Sequence, residues 1–499
     1  MQRVILALAS VFTLGTSAHA EPAKVKIETG VLAGETLGDV AVYRNIPFAA
    51  APIEALRWAP PAPVKAWKGV RDAVKVGPSC PQPMNADGSP NGGGANGPVS
   101  EDCLQLNVYT PTKAKAAPVM VWIHGGSHRT GAGWIYDGTN FSRDGVIVVS
   151  INYRLGPLGY FAHPALTASA KPGEPVGNYG LMDQIAALKW VQRNIRAFGG
   201  DPKNVTVFGE SAGGMSTLAV LATPSANGLY AKAIVESGGG WFPPTNLTMR
   251  EADGVKASKA LGLENATAAQ LRAVPAQDLI AKVGGNFGPF VDGKLMTMTA
   301  SQAFAAGKAA DVPLIIGSNS GEDSLMGLWN PAMAATIPAA ARSVYAEEAA
   351  VGDEALARAV FTDRIMGAPA RWTAAKAAGG KPAWLYHFSY VGSRFRPAVT
   401  HAFHAAEIQY VFEYWGRRTP MSMVSEDDKA MAALMHSCWV AFAKTSAPAC
   451  ATGPAWPTYT SASDQLMEFG ASSGIRTNFR KSRLDAQEVG ALPSLALPK

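Results

Sequence analysis

The sequence predicts an α/β fold, a central and mostly parallel sheet flanked by helices, with helical insertions capping it. Three observations predict this. From about residue 119 onward, short β-branched runs alternate with helical stretches, the pattern of strands joined by crossovers. Leu181, Ile185, Leu188, Val191, Ile195 and Phe198 recur at helical spacing, and Gly199-Gly200 ends that helix. Finally, a β-branched run at Val205–Phe208 passes through a glycine-flanked turn straight into a helical stretch, Gly213–Leu221.

Each element follows in order. Val25–Thr29 and Ala41–Ile46 read as strands, then a proline-rich stretch. Residues 84–98 are rich in Gly, Asn and Pro and read as a loop. Gly92, Gly94 and Gly97 spell G-x-G-x-x-G there, but no strand precedes them and no amphipathic helix follows, so this is no nucleotide loop. Val119–Ile123 and Val146–Ile151 are buried strands, the helix over 181–198 follows, and Ala233–Glu236, Val312–Ile316 and Trp384–Phe388 complete the set. Residues 246–282 and 324–380 are Ala-rich, helical and broken by Gly and Pro; they are expected as caps above the strand ends. With no linker or repeat, residues 21–499 read as one domain, although the length of 499 alone would allow about three.

Residues 1–20 read as a signal peptide. Arg3 is the basic region, Val4 to Leu14 the apolar run, and Ala18-His19-Ala20 the cleavage site, so the mature chain begins at Glu21 and is exported to the periplasm or beyond. No later run is long enough to span a membrane, so no stable insertion is expected. Net charge is +6, and losing Arg3 leaves +5. There is no Lys/Arg block to suggest a nucleic-acid partner. Export permits disulfides. Cys80 and Cys103 flank the 84–98 loop, and Cys438 and Cys450 bracket the end of a helical pattern; both pairs are expected as local bridges. No C-x-x-C or H-E-x-x-H spacing points to a metal.

Gly209-Glu210-Ser211-Ala212-Gly213 fits G-x-S-x-G between strand and helix. Small flanking residues suit a strained turn, and the helix N-terminus favours a developing anion. Ser211 is therefore the candidate nucleophile, and it needs a base. Four histidines follow it: His387, His401, His404 and His436. His387 lies in a strand pattern and His436 in a helix. His404 is preferred and His401 is second, because small residues beside His404 leave room for substrate. The acid is expected in the loop after Val312–Ile316, where Glu322 and Asp323 both stand, and spacing alone does not choose between them. His124-Gly125-Gly126-Ser127 follows the strand Val119–Ile123. Glycines there let N–H groups approach an oxyanion, with Gly126, Ser127 and Ala212 as donors. His128, Arg129, Glu210, Trp241 and Phe287 are candidates for the pocket wall.

At these residues the chain resembles the type-B carboxylesterase family, the carboxylesterase/cholinesterase group. The likeness extends through Tyr43-Arg44-Asn45-Ile46-Pro47-Phe48-Ala49, Ser100-Glu101-Asp102-Cys103-Leu104-Gln105-Leu106-Asn107-Val108-Tyr109, Asn152-Tyr153-Arg154, Gly177-Asn178-Tyr179-Gly180-Leu181-Met182-Asp183-Gln184 and Phe198-Gly199-Gly200-Asp201-Pro202. The resemblance implies an α/β-hydrolase fold with Ser211, Glu322 and His404 as the triad, and it also implies the Cys80–Cys103 bridge. Arg57 with Glu101, and Arg154 with Asp183, become structural ion pairs. The chain departs from the family pattern at Ser127, where a third glycine is usual, and at His128 and Arg129, where apolar residues are usual. The spacing from Ser211 to His404 is short and the cap at 324–380 is trimmed.

The expected activity is ester hydrolysis through an acyl-enzyme, with no cofactor and a small-molecule ester as substrate. Arg129 beside the oxyanion hole suggests a clamp for an acidic acyl group, such as the tricarballylate of fumonisins. The alternative is a generalist enzyme for short neutral esters. A non-catalytic binding protein is the distant alternative, and such relatives lack a triad member. The sequence does not set the oligomeric state.

Overall fold

The computed structural model describes residues 23–495 apart from 86, 88, 90–93, 242–243, 338 and 417–418. The leader at 1–20 and Gly92 of the G-x-G-x-x-G stretch lie outside the described residues. Thirteen strands are found among the described residues: β1 Ala23–Ile27, β2 Gly30–Leu37, β3 Val40–Pro47, β4 Val70–Asp72, β5 Gln105–Pro111, β6 Ala117–Ile123, β7 Ile147–Ile151, β8 Gly200–Glu210, β9 Lys232–Glu236, β10 Leu314–Asn319, β11 Ala383–Phe388, β12 Gln465–Phe469 and β13 Gly474–Thr477. They run in the order β1-β2-β3-β5-β7-β6-β8-β9-β10-β11-β12-β13, and β4 pairs with β2. From β7 to β12 every pairing is parallel, while both margins are antiparallel apart from the short parallel pairing of β4 with β2.

The central strands are buried on both faces, and alternation sorts their side chains. Val119, Val121 and Ile123 of β6, Val205 and Val207 of β8, and Ala233 and Val235 of β9 enter one core. Met120 and Trp122, Phe208, and Ile234 enter the other. The first core is roofed by helices Tyr179–Asn194 and Ala212–Leu221. The second is roofed by helix Glu426–Thr445, whose Met435, Trp439 and Phe442 are fully buried. Removing an indole such as that of Trp439 would cost about 3–5 kcal/mol. The expected helix over 181–198 begins two residues earlier and ends in a 3₁₀ turn at Ile195–Phe198.

The first insertion carries helices Leu247–Ala260, Ala268–Ala273 and Ala276–Lys282, with Leu271 and Leu279 packed against Trp58, Leu158 and Phe161. The second differs in part from the expected cap. Its last helix, Ala368–Ala377, lies on the sheet, and Ala370, Trp372 and Ala374 join the first core. These buried apolar residues need the sheet for cover. Cys80–Cys103 and Cys438–Cys450 are both bridged. Each closes a short loop, worth about 3 kcal/mol in the chain-entropy account. Arg57 pairs with Glu101, and Arg154 makes a two-pronged contact with Asp183, both bonds 2.8 Å, in full burial.

Candidate active site

β8 delivers Ser211 at its C-terminal end. Ser211 has φ 57° and ψ −122° and caps the helix Ala212–Leu221. That conformation costs an L residue about 1–3 kcal/mol. It is held by the Ser211 N–H donating to the Glu236 carbonyl at 2.9 Å and by Met215 N–H donating to the Ser211 carbonyl at 2.8 Å. Two glycines make the turn possible. A Cβ on Gly213 would lie 1.9 Å from the Ile123 carbonyl oxygen, and one on Gly125 would lie 2.8 Å from Glu210 Oε2 and 3.1 Å from Ser211 Cβ. The loop after β6 therefore rests directly on the serine turn.

The acid loop and the histidine loop are stitched together. Gly321 N–H donates to the Ala402 carbonyl at 2.8 Å, Ala402 N–H to Ser320 Oγ at 2.9 Å, and His404 N–H to Ser324 Oγ at 2.9 Å. This brings His404 Nδ1 to 2.5 Å from Glu322 Oε2. Ser237 Oγ–H and Asn319 N–H donate to Glu322 Oε1 at 2.6 and 2.8 Å. Asp323 turns the other way, to Arg358 and Thr362 on the neighbouring helix. Geometry thus separates the two acids that spacing left open. It separates the histidines as well. His401 is exposed, buried His387 packs on the Phe479 ring, 4.7 Å between ring centres, and His436 is bonded to the Val411 carbonyl and Asp144.

On its other side His404 Nε2 stands 3.1 Å from Glu210 Oε1, off hydrogen-bonding geometry, and it makes no hydrogen bond. Burial by itself would lower the imidazole's affinity for a proton. The Glu210 and Glu322 carboxylates outweigh that and push His404 up to about 10. Two further buried carboxyls lie nearby. Glu236 accepts from Trp439 Nε1–H at 2.8 Å, and Glu407 from Asn319 Nδ2–H at 2.5 Å. Burial pushes both upward, Glu407 to about 7. Ser237, Asn319, Glu236 and Glu407 were missed at the sequence level. The signal for Glu236 was an acidic residue at the C-terminal end of a central strand.

At the mouth, Gly126, Ser127 and His128 all have positive φ, at 101°, 56° and 55°. Arg129 and Thr130 N–H close the loop onto the Gly126 carbonyl. Among the described residues the N–H groups of Gly126, Ser127 and Ala212 carry no internal hydrogen bond, which is the arrangement of an anion cradle. The Ser127 side chain is exposed. His128 turns inward instead: it is buried, with Nε2 2.9 Å from Ser216 Oγ, and burial holds it neutral at about 3. A side chain so placed shapes the loop from below and does not wall the pocket. Arg129 stays half-buried with its guanidinium 5.5 Å over the Phe287 ring, and among the described residues no carboxylate pairs with it. Trp241 packs edge-on to Trp372, 6.2 Å between ring centres, beyond the serine turn.

The sheet, the serine turn at the end of β8 and the histidine–glutamate pair beside it define an α/β hydrolase. The Carboxylesterase family model matches residues 21–336 and 332–487, and the chain belongs to that family and is an ester-hydrolysing enzyme. It is 35% identical over 469 residues to para-nitrobenzyl esterase of Bacillus subtilis (strain 168), covering 87% of this chain and 92% of that one. It is 34% identical over 473 residues to fumonisin B1 esterase of Sphingopyxis macrogoltabida, covering 88% and 84%. Among solved structures it resembles a PNB esterase, with TM-score 0.81, 32% identity and coverage of 95% and 99%. A carboxylesterase of Geobacillus stearothermophilus gives TM-score 0.81 and 32% identity, with coverage of 93% and 99%. No helix among the described residues is long and apolar enough to cross a membrane.

Proposed function

We propose that this protein is an exported serine hydrolase that cleaves carboxylic esters carrying an acidic acyl group. The observation that carries the mechanism is the His404 imidazole, fixed at Nδ1 by Glu322, with Nε2 against the serine turn, 3.1 Å from Glu210 Oε1 and without a hydrogen bond. Ser211 Oγ attacks the ester carbonyl while Nε2 takes its proton. The carbonyl oxygen becomes an oxyanion facing the N–H groups of Gly126, Ser127 and Ala212. The imidazolium then protonates the departing alcohol, leaving an acyl-serine. Water, deprotonated by the same nitrogen, releases the acid and restores the serine. Glu322 stabilises the imidazolium in both steps.

Arg129 supports the acidic acyl group. It follows the oxyanion loop, is steadied by Phe287, and among the described residues has no carboxylate partner of its own. Each charge-assisted bond it makes to a substrate carboxylate is worth about 1.5–3 kcal/mol. The likeness to a fumonisin B1 esterase agrees with this reading; the likeness to a para-nitrobenzyl esterase favours the second reading, a generalist for neutral esters. The two disulfides fit export to an oxidising compartment.

The test compares kcat/KM for p-nitrophenyl hemisuccinate and p-nitrophenyl butyrate, with Arg129→Ala and with Ser211→Ala as the blank. The hemisuccinate is expected to be preferred, and Arg129→Ala to cost it about tenfold or more while butyrate changes less than about threefold. An equal loss on both esters would remove the acidic-acyl reading and leave the generalist.

A further inference from the structure

Four glutamates stand within one small volume behind the serine turn, and their placement follows from strand parity. Phe208 and Ile234 face the core under helix Glu426–Thr445, so Glu210 and Glu236, two residues on, face the same way. Glu210 and Glu236 are register partners on adjacent parallel strands, and the row continues through Gly317 of β10 to Tyr386 of β11. Gly317 has no side chain, and the Tyr386 ring lies across it, 2.3 Å from where a Cβ would be. Glu322 and Glu407 close the cluster from the loops beyond β10 and β11.

Strands in a sheet lie about 5 Å apart, and like charges directly opposite are unfavourable. Glu236, Glu322 and Glu407 are fully buried, and Glu210 is 3% exposed. Two of the four flank a cationic partner, the single charge of the His404 imidazolium: Glu322 at Nδ1 and Glu210 at Nε2. Glu236 and Glu407 have no such match, and no lysine or arginine pairs with either among the described residues. Each spends one oxygen on a neutral donor and keeps the other buried without a hydrogen bond, Oε2 of Glu236 and Oε1 of Glu407. The Tyr386 hydroxyl is buried in the same state. The groups facing Glu236 are Glu210 from β8, Tyr386 from β11, Glu407 from the histidine loop and the neutral Trp439 from the roofing helix, and Glu322 and His404 act on Glu407 from the far side. Burial and the negative neighbours both favour the protonated form of this pair.

We propose that Glu236 is a positioning residue that acts through His404: it holds one proton in common with Glu407, so that the pair sets one negative charge behind the imidazole instead of two. A second charge would bind the imidazolium proton more tightly and withhold the base from Ser211. The backbone of Glu236 already fixes the nucleophile by accepting the Ser211 N–H. Its side chain limits the charge that the base feels. The inference rests on His404 being the base, and His404→Gln tests that separately by its loss of turnover.

The test is the acid limb of kcat/KM against pH on p-nitrophenyl butyrate, with active sites counted by an organophosphate so that misfolded protein does not enter. In Glu236→Gln the remaining Glu407 ionises, the charge is conserved, and the limb is expected within about 0.3 pH units of the wild type. In Glu236→Gln/Glu407→Gln the charge is gone, and the limb is expected about one unit lower. The wild type at pH 8 is also expected to show the infrared carbonyl band of a buried protonated carboxyl, absent from Glu236→Gln. Three results would overturn the proposal: a single variant that shifts as far as the double, a double variant that does not shift, or a wild type without the band. The infrared measurement stands whether or not His404 proves to be the base.

Discussion

The floor and the mouth of the site handle charge in opposite ways. Behind His404, four buried glutamates are packed together, and among the described residues the cation that pairs with them is the imidazolium itself. At the mouth, Arg129 lies half-buried on an aromatic ring with no carboxylate beside it among the described residues. In the floor, charge must be balanced inside the protein, because an unmatched buried carboxylate is costly and tends to keep a proton. At the mouth, solvent screens the guanidinium until a ligand displaces it. In the proposed reading, the floor is built to move a proton, and the mouth to wait for an anion.

The strongest way to break this comparison is Ser211→Ala. It should reduce kcat on either ester by at least about 10⁴-fold with no change in melting temperature; residual turnover much above that would mean that the floor serves another nucleophile. Next is Glu322→Gln, expected to cost about 10³–10⁴-fold in kcat, while Asp323→Asn, which alters only the contacts to Arg358 and Thr362, should stay within about threefold. Similar losses for both would merge the two acids that the loop geometry separates.

Glu210→Gln sharpens the floor. In the proposed mechanism turnover needs neutral His404, so activity is expected to fall as pH drops through the value of the imidazole, which stands up near 10. Removing the Glu210 charge should move the acid limb of kcat/KM about one unit lower. The same carboxylates link His404 to stability. The folded value lies above 6.5, so the stabilisation is complete below pH 6.5 and is lost as pH rises toward 10. A denaturation series from pH 6 to 10 should show less of that loss in Glu210→Gln. The smallest effect is expected at the mouth. Phe287→Ala unseats the guanidinium and should lower kcat/KM for the hemisuccinate about two- to fivefold, leaving butyrate unchanged.

Much of this layout can be read from the chain. The central strands announce themselves because both faces are buried, so β6, β7, β9 and β10 are continuous apolar runs. The Ser211 turn is visible because so tight a passage from strand to helix needs its glycines. The strands β2, β4, β5, β12 and β13 were not legible. Gly30–Leu37 and Gly474–Thr477 contain glycine and polar residues, and pairing at the sheet margins holds them where their own propensity does not. Helix Ala368–Ala377 was read as cap because alanine content reports a helix and is silent on where it packs. His128 looked like a pocket residue from its place beside the oxyanion loop, and the positive φ of the loop turns it into the core. Glu236 and Glu407 take their meaning from lateral register and loop stitching, which join residues far apart in sequence.

The bridge from Cys80 to Cys103 gives the molecule an unusual tolerance of damage. The glycine- and asparagine-rich stretch 84–98 lies wholly between the two sulfurs. A single cut there by a protease turns one polypeptide into two, yet separates nothing. The shorter piece carries β1 to β4 and stays tied to the longer by the sulfur–sulfur bond, and by the ladder between β3 and β5. Such a nicked enzyme would run as one band on a non-reducing gel and as two after thiol treatment, with every residue of the floor and the mouth on the same fragment. A cut in this stretch therefore breaks one peptide bond without parting the two pieces.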